Sequence, residues 1–182
     1  MRNSSQTNPA WAIRMAKVRQ LIYASLHTPT QRGLPRYLWQ VLLKTLLYSI
    51  VVGAVIGLTE LVTGRTLIDD NGPLKNKSLD WETAVLVIVV APLIETGLSQ
   101  SLLMGWVLRR LNNSWRISIS AVSFGLLHTY NPGYMLWAGM MGYFFSRAYA
   151  DWEGKLRFPF VVPFALHALR NALAFGVLWA TP

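Results

Sequence analysis

The chain has 182 residues, of which 53% are hydrophobic and 14% are charged, whereas a soluble domain carries about 25% charged residues. Its apolar residues lie in long runs, so we predict a membrane protein rather than a soluble one. No cysteine is present, which excludes thiol catalysis, zinc–thiolate sites and disulfide bonds. The net charge of +9 is spread beside the apolar segments. This distribution favours anionic lipid at the cytoplasmic face as a partner and argues against nucleic acid.

Residues 1–36 form the predicted N-terminal region, which is basic and cytoplasmic. Its apolar residues recur at helical spacing and fall on one stripe. They are Trp11, Met15, Val18, Ile22 and Leu26. The stripe predicts an amphipathic helix over residues 9–26 that lies on the membrane interface, or alternatively packs on the membrane bundle. No signal peptide is expected, because the first long apolar run begins only near residue 37.

Five apolar segments follow, within a predicted transmembrane domain over residues 37–182. They cover residues 38–62, 82–108, 117–130, 134–150 and 158–180. At about 1.5 Å per residue, the first, second and fifth can cross a hydrocarbon core of about 30 Å, whereas the third is too short to cross alone. We therefore expect an all-α fold, a polytopic membrane helix bundle of about five transmembrane segments with an N-terminal interfacial amphipathic helix.

The basic residues predict how the segments are oriented. Basic residues without matching acids precede the first segment, and Arg109, Arg110 and Arg116 follow the second. By the positive-inside rule the N-terminus is cytoplasmic, and five alternating crossings place the C-terminus outside. The expected location is the plasma membrane of a bacterium or archaeon.

Four polar residues interrupt otherwise apolar segments: Glu95, His128, His167 and Asn171. An ionisable group in hydrocarbon costs about 2.5–3.5 kcal/mol, so three of them in separate segments indicate one shared site. Counted from the cytoplasmic basic residues, all four lie roughly 15–21 Å deep at about 1.5 Å per residue. His167 and Asn171 are also i and i+4, so they face the same direction from one helix.

These residue types indicate acid–base chemistry. A buried carboxylate and a nearby imidazole can share a proton and deprotonate a water, while a second histidine and an asparagine can stabilise an oxyanion. The set suits amide hydrolysis, or acyl transfer if an amine replaces water. Glu95, His128 and His167 can also bind a divalent metal such as zinc, with water as a fourth ligand. We favour the cofactor-free mechanism, because the usual i, i+4 histidine pair of zinc motifs is missing.

The same residues resemble the CPBP family of intramembrane proteases (CAAX proteases and bacteriocin-processing enzymes, also called Abi). That family carries Glu-Glu-x-x-x-Arg, Phe-x-x-x-His and His-x-x-x-Asn on three successive transmembrane helices. The corresponding residues here are Glu95, Thr96 and Gln100, then Phe124 and His128, then His167 and Asn171. The resemblance implies that Glu95 and His128 activate water and that His167 and Asn171 form the oxyanion hole. It also implies a membrane-anchored protein or peptide substrate, with CAAX-like or sortase-like C-terminal processing.

The first motif departs from the family pattern, since Thr96 replaces the second glutamate and Gln100 replaces the arginine. These positions are i and i+4, so the family's glutamate and arginine could form an ion pair there. Replacing both members leaves no unpaired charge in the membrane. We expect a neutral pair that hydrogen-bonds. Arg170 lies midway along the fifth segment and needs a partner there. We expect it to replace the missing arginine beside Glu95 or to bind a substrate carboxylate, with Glu60 as a competing partner.

Three other interpretations stay open at this point. Ser99 with His128 or His167 can form a catalytic dyad, although a packing role fits a small residue between membrane helices better, as it does for Gly139 and Gly142. A non-catalytic immunity or binding protein would retain the fold without cleavage. A proton-relay transporter subunit would use the same ionisable residues to carry protons.

Overall fold

The computed structural model describes residues 15–18, 33–68 and 78–180. Helices make up most of this part of the chain and no strand occurs in it, which confirms the predicted all-α fold. The elements are α1 (Leu34–Thr63), α2 (Trp81–Val107), α3 (Asn113–Leu126), α4 (Pro132–Trp152) and α5 (Val161–Ala180). Their bounds lie within a few residues of the predicted segments.

Of the described helices, α1, α2 and α5 are long and apolar enough to cross a membrane. The chain is therefore an integral membrane protein. Helix α3 has 14 residues, or roughly 21 Å at 1.5 Å per residue, and is too short to cross alone, as predicted. The count of five crossings and the orientation of the termini stay predictions.

The predicted interfacial helix lies outside the described residues, apart from residues 15–18, which are helical and exposed. The chain divides into two compact units, residues 1–37 and 38–182, and all the predicted site residues belong to the second. The proposed division into an N-terminal region and a catalytic domain stays a prediction.

Helix α2 begins with a side-chain cap. The Asp80 carboxylate accepts hydrogen bonds from the Ser78 hydroxyl and, at 2.9 Å, from the Thr83 backbone N–H. Such a cap satisfies one of the free N–H groups of a first helical turn. The same hydrogen bonds, led by that from Ser78, lower the pKa of the Asp80 carboxyl.

Further along, the backbone hydrogen bonding of α2 changes from α-helical to π-helical in two stretches. Leu86–Val90 and Gly97–Val107 are π-helical, so that N–H groups bond to carbonyls five residues back instead of four. A regular α-helical stretch, Ala91–Thr96, lies between them and carries Glu95. Stretches of π-helix are rare and occur frequently at functional sites.

Close packing of α3 on α4 depends on glycine. A Cβ at Gly142 would lie 2.7 Å from Cβ of Phe124, and one at Gly125 would lie 2.8 Å from the backbone of α4. The packing role predicted for Gly142 is confirmed. At Gly139 an added Cβ would make only ordinary contacts, the nearest at 3.5 Å, so a small side chain fits there.

Arg116 fixes the start of α3 against two other parts of the chain. Its guanidinium donates to both carboxylate oxygens of Glu153 at 2.8 Å and to the Met104 carbonyl at 3.1 and 3.2 Å. A further bond reaches the Asn113 side chain at 2.9 Å. The sequence predicted Arg116 only as a cytoplasmic charge, but its side chain is buried and paired.

Candidate active site

The Glu95 carboxylate lies between the two predicted histidines. Its Oε2 atom is 3.4 Å from Nε2 of His128 and 3.6 Å from Nε2 of His167. These residues come from α2, from the turn that follows α3 and from α5. The structure thus brings three ionisable residues that are far apart in the sequence together at one carboxylate oxygen.

The His128 ring has a defined tautomer. Its Nδ1 atom lies 2.6 Å from the carbonyl oxygen of Phe124, in the last turn of α3. A carbonyl only accepts hydrogen bonds, so Nδ1 must carry a proton and donate. Nε2 then faces the Glu95 carboxylate.

Aromatic rings hold both imidazoles in place. The Phe124 ring centroid lies 4.6 Å from that of His128 and 5.6 Å from that of His167. On its other side His167 stacks on Phe145, with ring centroids 4.6 Å apart. His167 is buried, and its Nδ1 has no hydrogen-bond partner among the described residues. A proton on Nδ1 would be an unpaired donor, so the favoured tautomer has its proton on Nε2, facing Glu95.

Asn171 has a partner that the sequence did not predict. Its side-chain Nδ2 donates to the backbone carbonyl of Val87 at 2.9 Å. In the π-helical register Ala91 N–H bonds to the Leu86 carbonyl, and the next residue, Pro92, has no N–H to give to Val87. Asn171 therefore satisfies a carbonyl of α2 that has lost its donor within the helix.

A cavity of about 520 Å³ opens beside these residues. This volume is typical of a small-molecule or peptide site. Its lining is mainly apolar and aromatic. The charged and amide residues that line it are Glu95, His128, His167, Arg170 and Asn171.

Arg170 forms no ion pair with Glu95 among the described residues. Its guanidinium carbon lies 5.2 Å from the ring centroid of Trp137, and its Nε atom has no hydrogen-bond partner within residues 15–18, 33–68 and 78–180. The expected competitor, Glu60, instead accepts hydrogen bonds from the backbone N–H groups of Leu67 and Ile68 at 2.6 and 2.8 Å. The expected ion pair of Arg170 with Glu95 is therefore not formed, and the other expected role, contact with a substrate carboxylate, stays a prediction.

Thr96 and Gln100 are both buried but do not form the expected neutral pair. The Thr96 hydroxyl and the Gln100 Oε1 atom have no partner among the described residues. Gln100 lies in the π-helical stretch, where residues four apart no longer align, and its Nε2 donates to the Ser146 hydroxyl at 3.3 Å. Ser146 donates to Ser120 at 2.8 Å, and Ser120 donates to the Ser99 carbonyl at 2.9 Å.

This series of hydrogen bonds between neutral groups joins α2, α3 and α4. Ser120 and Ser146 were missed in the sequence, although small polar residues in apolar helices often make such bonds. The Ser99 hydroxyl has no partner in the described part of the chain, and both histidine Nε2 atoms face Glu95. A serine–histidine dyad is therefore not formed.

Among the described residues, no group of three or more histidine, cysteine, aspartate or glutamate side chains is arranged to hold a metal ion. The alternative of a metal bound by Glu95, His128 and His167 stays a prediction, as does the cofactor-free mechanism.

A family model described as type II CAAX prenyl endopeptidase, Rce1-like, matches residues 77–173. The chain belongs to this family. The match confirms the resemblance to the CPBP proteases, and it covers Glu95, both histidines and Asn171. Members of the Rce1-like family are endopeptidases that act on membrane-anchored protein substrates. Neither a curated protein nor a solved structure matches the chain.

Proposed function

We propose that this Rce1-like protein is an intramembrane endopeptidase in which Glu95 and His128 activate the attacking water. The observation that carries the proposal is the placement of one carboxylate oxygen, Oε2 of Glu95, between Nε2 atoms of His128 and His167. The group lies beside a largely apolar cavity within a membrane helix bundle. Paired acid and base groups in such a setting are suited to proton transfer.

In the proposed reaction, Glu95 accepts a proton from water as the oxygen attacks the substrate carbonyl. His128 is held in one tautomer by Phe124 and relays a proton to the leaving amine nitrogen, so that the pair ends as it began. The Nε2–H of His167 donates to the oxyanion. These steps need no redox partner, and water supplies both the hydroxyl and the proton that the products gain.

For Asn171 we propose a positioning role first. One of its two N–H donors is used by the Val87 carbonyl, which fixes α5 to α2 about two helical turns before Glu95. Only the second donor is free to assist the oxyanion, as the family resemblance implies.

The proposed substrate is a membrane-anchored protein or peptide with a CAAX-like C-terminus. The family description supports a prenyl-protein substrate, and the apolar lining of the cavity is compatible with a lipid-modified chain. Anionic lipid at the cytoplasmic face stays a proposed partner, because the charge distribution that favours it is a sequence property.

The test is cleavage of a farnesylated CAAX peptide by the purified protein in lipid nanodiscs. We expect Glu95→Gln and His128→Ala to abolish cleavage while far-UV circular dichroism stays unchanged. Glu82→Gln is the matched control, because Glu82 lies on the same helix, is exposed and does not line the cavity. Full activity of Glu95→Gln would contradict the proposal. Adding a chelator separates the mechanisms, since inhibition reversed by zinc would show that the metal version is correct.

A further inference from the structure

Arg170 contributes a positive charge to the cavity that the proposed mechanism does not use. Of the described residues that line the cavity, Arg170 is the permanent cation and Glu95 is the acid. No ion pair joins them, and the Arg170 Nε atom lacks a hydrogen-bond partner in the described part of the chain. A half-buried guanidinium without an acid is costly in a membrane, which favours an anionic group supplied from outside the described chain.

The surroundings of Arg170 orient its guanidinium. The group lies over the Trp137 ring, at 5.2 Å from the centroid. Trp137 is fixed in turn, because its indole Nε1 donates to the Ser49 hydroxyl at 3.2 Å, and that hydroxyl donates to the Thr45 carbonyl at 2.7 Å. A guanidinium with one face covered by an aromatic ring keeps its N–H edges available, and two such N–H groups match the two oxygens of a carboxylate.

The position relative to the reacting groups completes the argument. Arg170 is i+3 from His167, so their Cβ atoms lie about 5–6 Å apart on one face of α5. Both side chains line the same cavity. A short peptide whose terminal carboxylate binds Arg170 could therefore also reach the Glu95 carboxylate in the same cavity.

We infer that Arg170 binds the free C-terminal carboxylate of the substrate and so determines specificity for cleavage near a chain end. The inference rests on the proposed function and deepens it. A phosphate group of a membrane lipid offers similar chemistry, so the experiment separates the two sources of the anion.

Binding is measured first, in the Glu95→Gln background, where turnover does not interfere. Two dye-labelled farnesylated peptides are compared in phosphatidylcholine nanodiscs, one ending in a free carboxylate and one in an amide. We expect the acid to bind about 10–100-fold more tightly than the amide, as charged hydrogen bonds predict. Adding Arg170→Gln should remove this difference and leave amide binding unchanged. Arg170→Lys keeps the positive charge but loses the paired N–H groups of the guanidinium, so we expect an intermediate preference for the acid.

Arg157→Gln is the matched control. The Arg157 guanidinium carbon also lies 5.2 Å from an aromatic centroid, that of Phe158, but Arg157 does not line the cavity. It should leave the preference for the acid intact. Equal binding of acid and amide without the Arg170 substitution would overturn the inference, as would an equal loss of both peptides in Arg170→Gln.

The lipid alternative has its own outcome. If acid and amide bind equally, and Arg170→Gln changes binding only in nanodiscs that contain phosphatidylglycerol, the anion is a lipid phosphate and the inference is wrong. Failure of the proposed function is recognised separately. In that case the peptide is not cut by the wild type, while the acid–amide difference in binding persists.

Discussion

Replacing Asn171 by leucine, which has a similar shape, removes the donor to the Val87 carbonyl. Because Pro92 leaves that carbonyl without a donor inside α2, the lost bond is not replaced within the helix. A buried unsatisfied group costs about 1–3 kcal/mol in mutational data, whereas hydrogen bonds between membrane helices average about 0.6 and reach about 1.7 kcal/mol. For a half-buried bond we expect a loss of about 1 kcal/mol.

A second substitution tests the origin of this loss. Pro92→Ala restores an N–H group that can reach Val87 in the π-helical register, so Asn171→Leu should cost only a few tenths of a kcal/mol in that background. Pro163→Ala is the control, because Pro163 is also fully buried but lies in the first turn of α5, where the missing N–H has no helical partner. It should not reduce the cost.

The assay is equilibrium unfolding in detergent, combined with peptide cleavage, for the wild type, Pro92→Ala and Pro163→Ala, each with and without Asn171→Leu. If Asn171 acts mainly by positioning, Pro92→Ala rescues both stability and cleavage. If it acts mainly as an oxyanion donor, Asn171→Leu lowers kcat by about 10²–10³-fold in either background. Loss of cleavage that Pro92→Ala does not rescue would therefore refute the positioning role.

Two further substitutions test the packing around the site. Gly142→Ala places a Cβ 2.7 Å from Phe124, so it should destabilise the fold by about 1–3 kcal/mol and lower cleavage. Gly139→Ala is the control, because its Cβ has room, and it should change neither stability nor cleavage in the same assays. Glu153→Leu leaves buried Arg116 without its carboxylate partner, and since Glu153 is itself 35% exposed we expect a loss of about 1–3 kcal/mol rather than the 3–5 of a fully buried pair. Unchanged unfolding midpoints would contradict either expectation.

The convergence of Glu95, His128 and His167 was predictable from the sequence for a specific physical reason. Ionisable residues are costly in hydrocarbon, so those that occur there at one depth are expected to meet. The helix bounds were predictable because apolar runs of this length form helices in membranes. Phe124 and His128 are four residues apart, a spacing that agrees with the ring contact seen between them.

The contacts that set the details of the site were not predictable in the same way. The partner of Asn171 depends on the π-helical register of α2, which sequence periodicity does not reveal, although Pro92 five residues after Val87 is a visible signal in retrospect. The bond from Gln100 to Ser146 spans 46 positions, and the pair of Arg116 with its carboxylate spans 37. Such contacts depend on how helices pack rather than on local pattern.

Comparative mass spectrometry of membrane proteins tests the role of Glu95 most directly. Cells that produce the wild type, Glu95→Gln or Glu82→Gln are compared for the C-termini of their membrane-anchored proteins. We predict at least one shortened C-terminus that is present with the wild type and with Glu82→Gln and absent with Glu95→Gln. The same set of C-termini in all three samples would contradict the proposal that Glu95 activates water for cleavage.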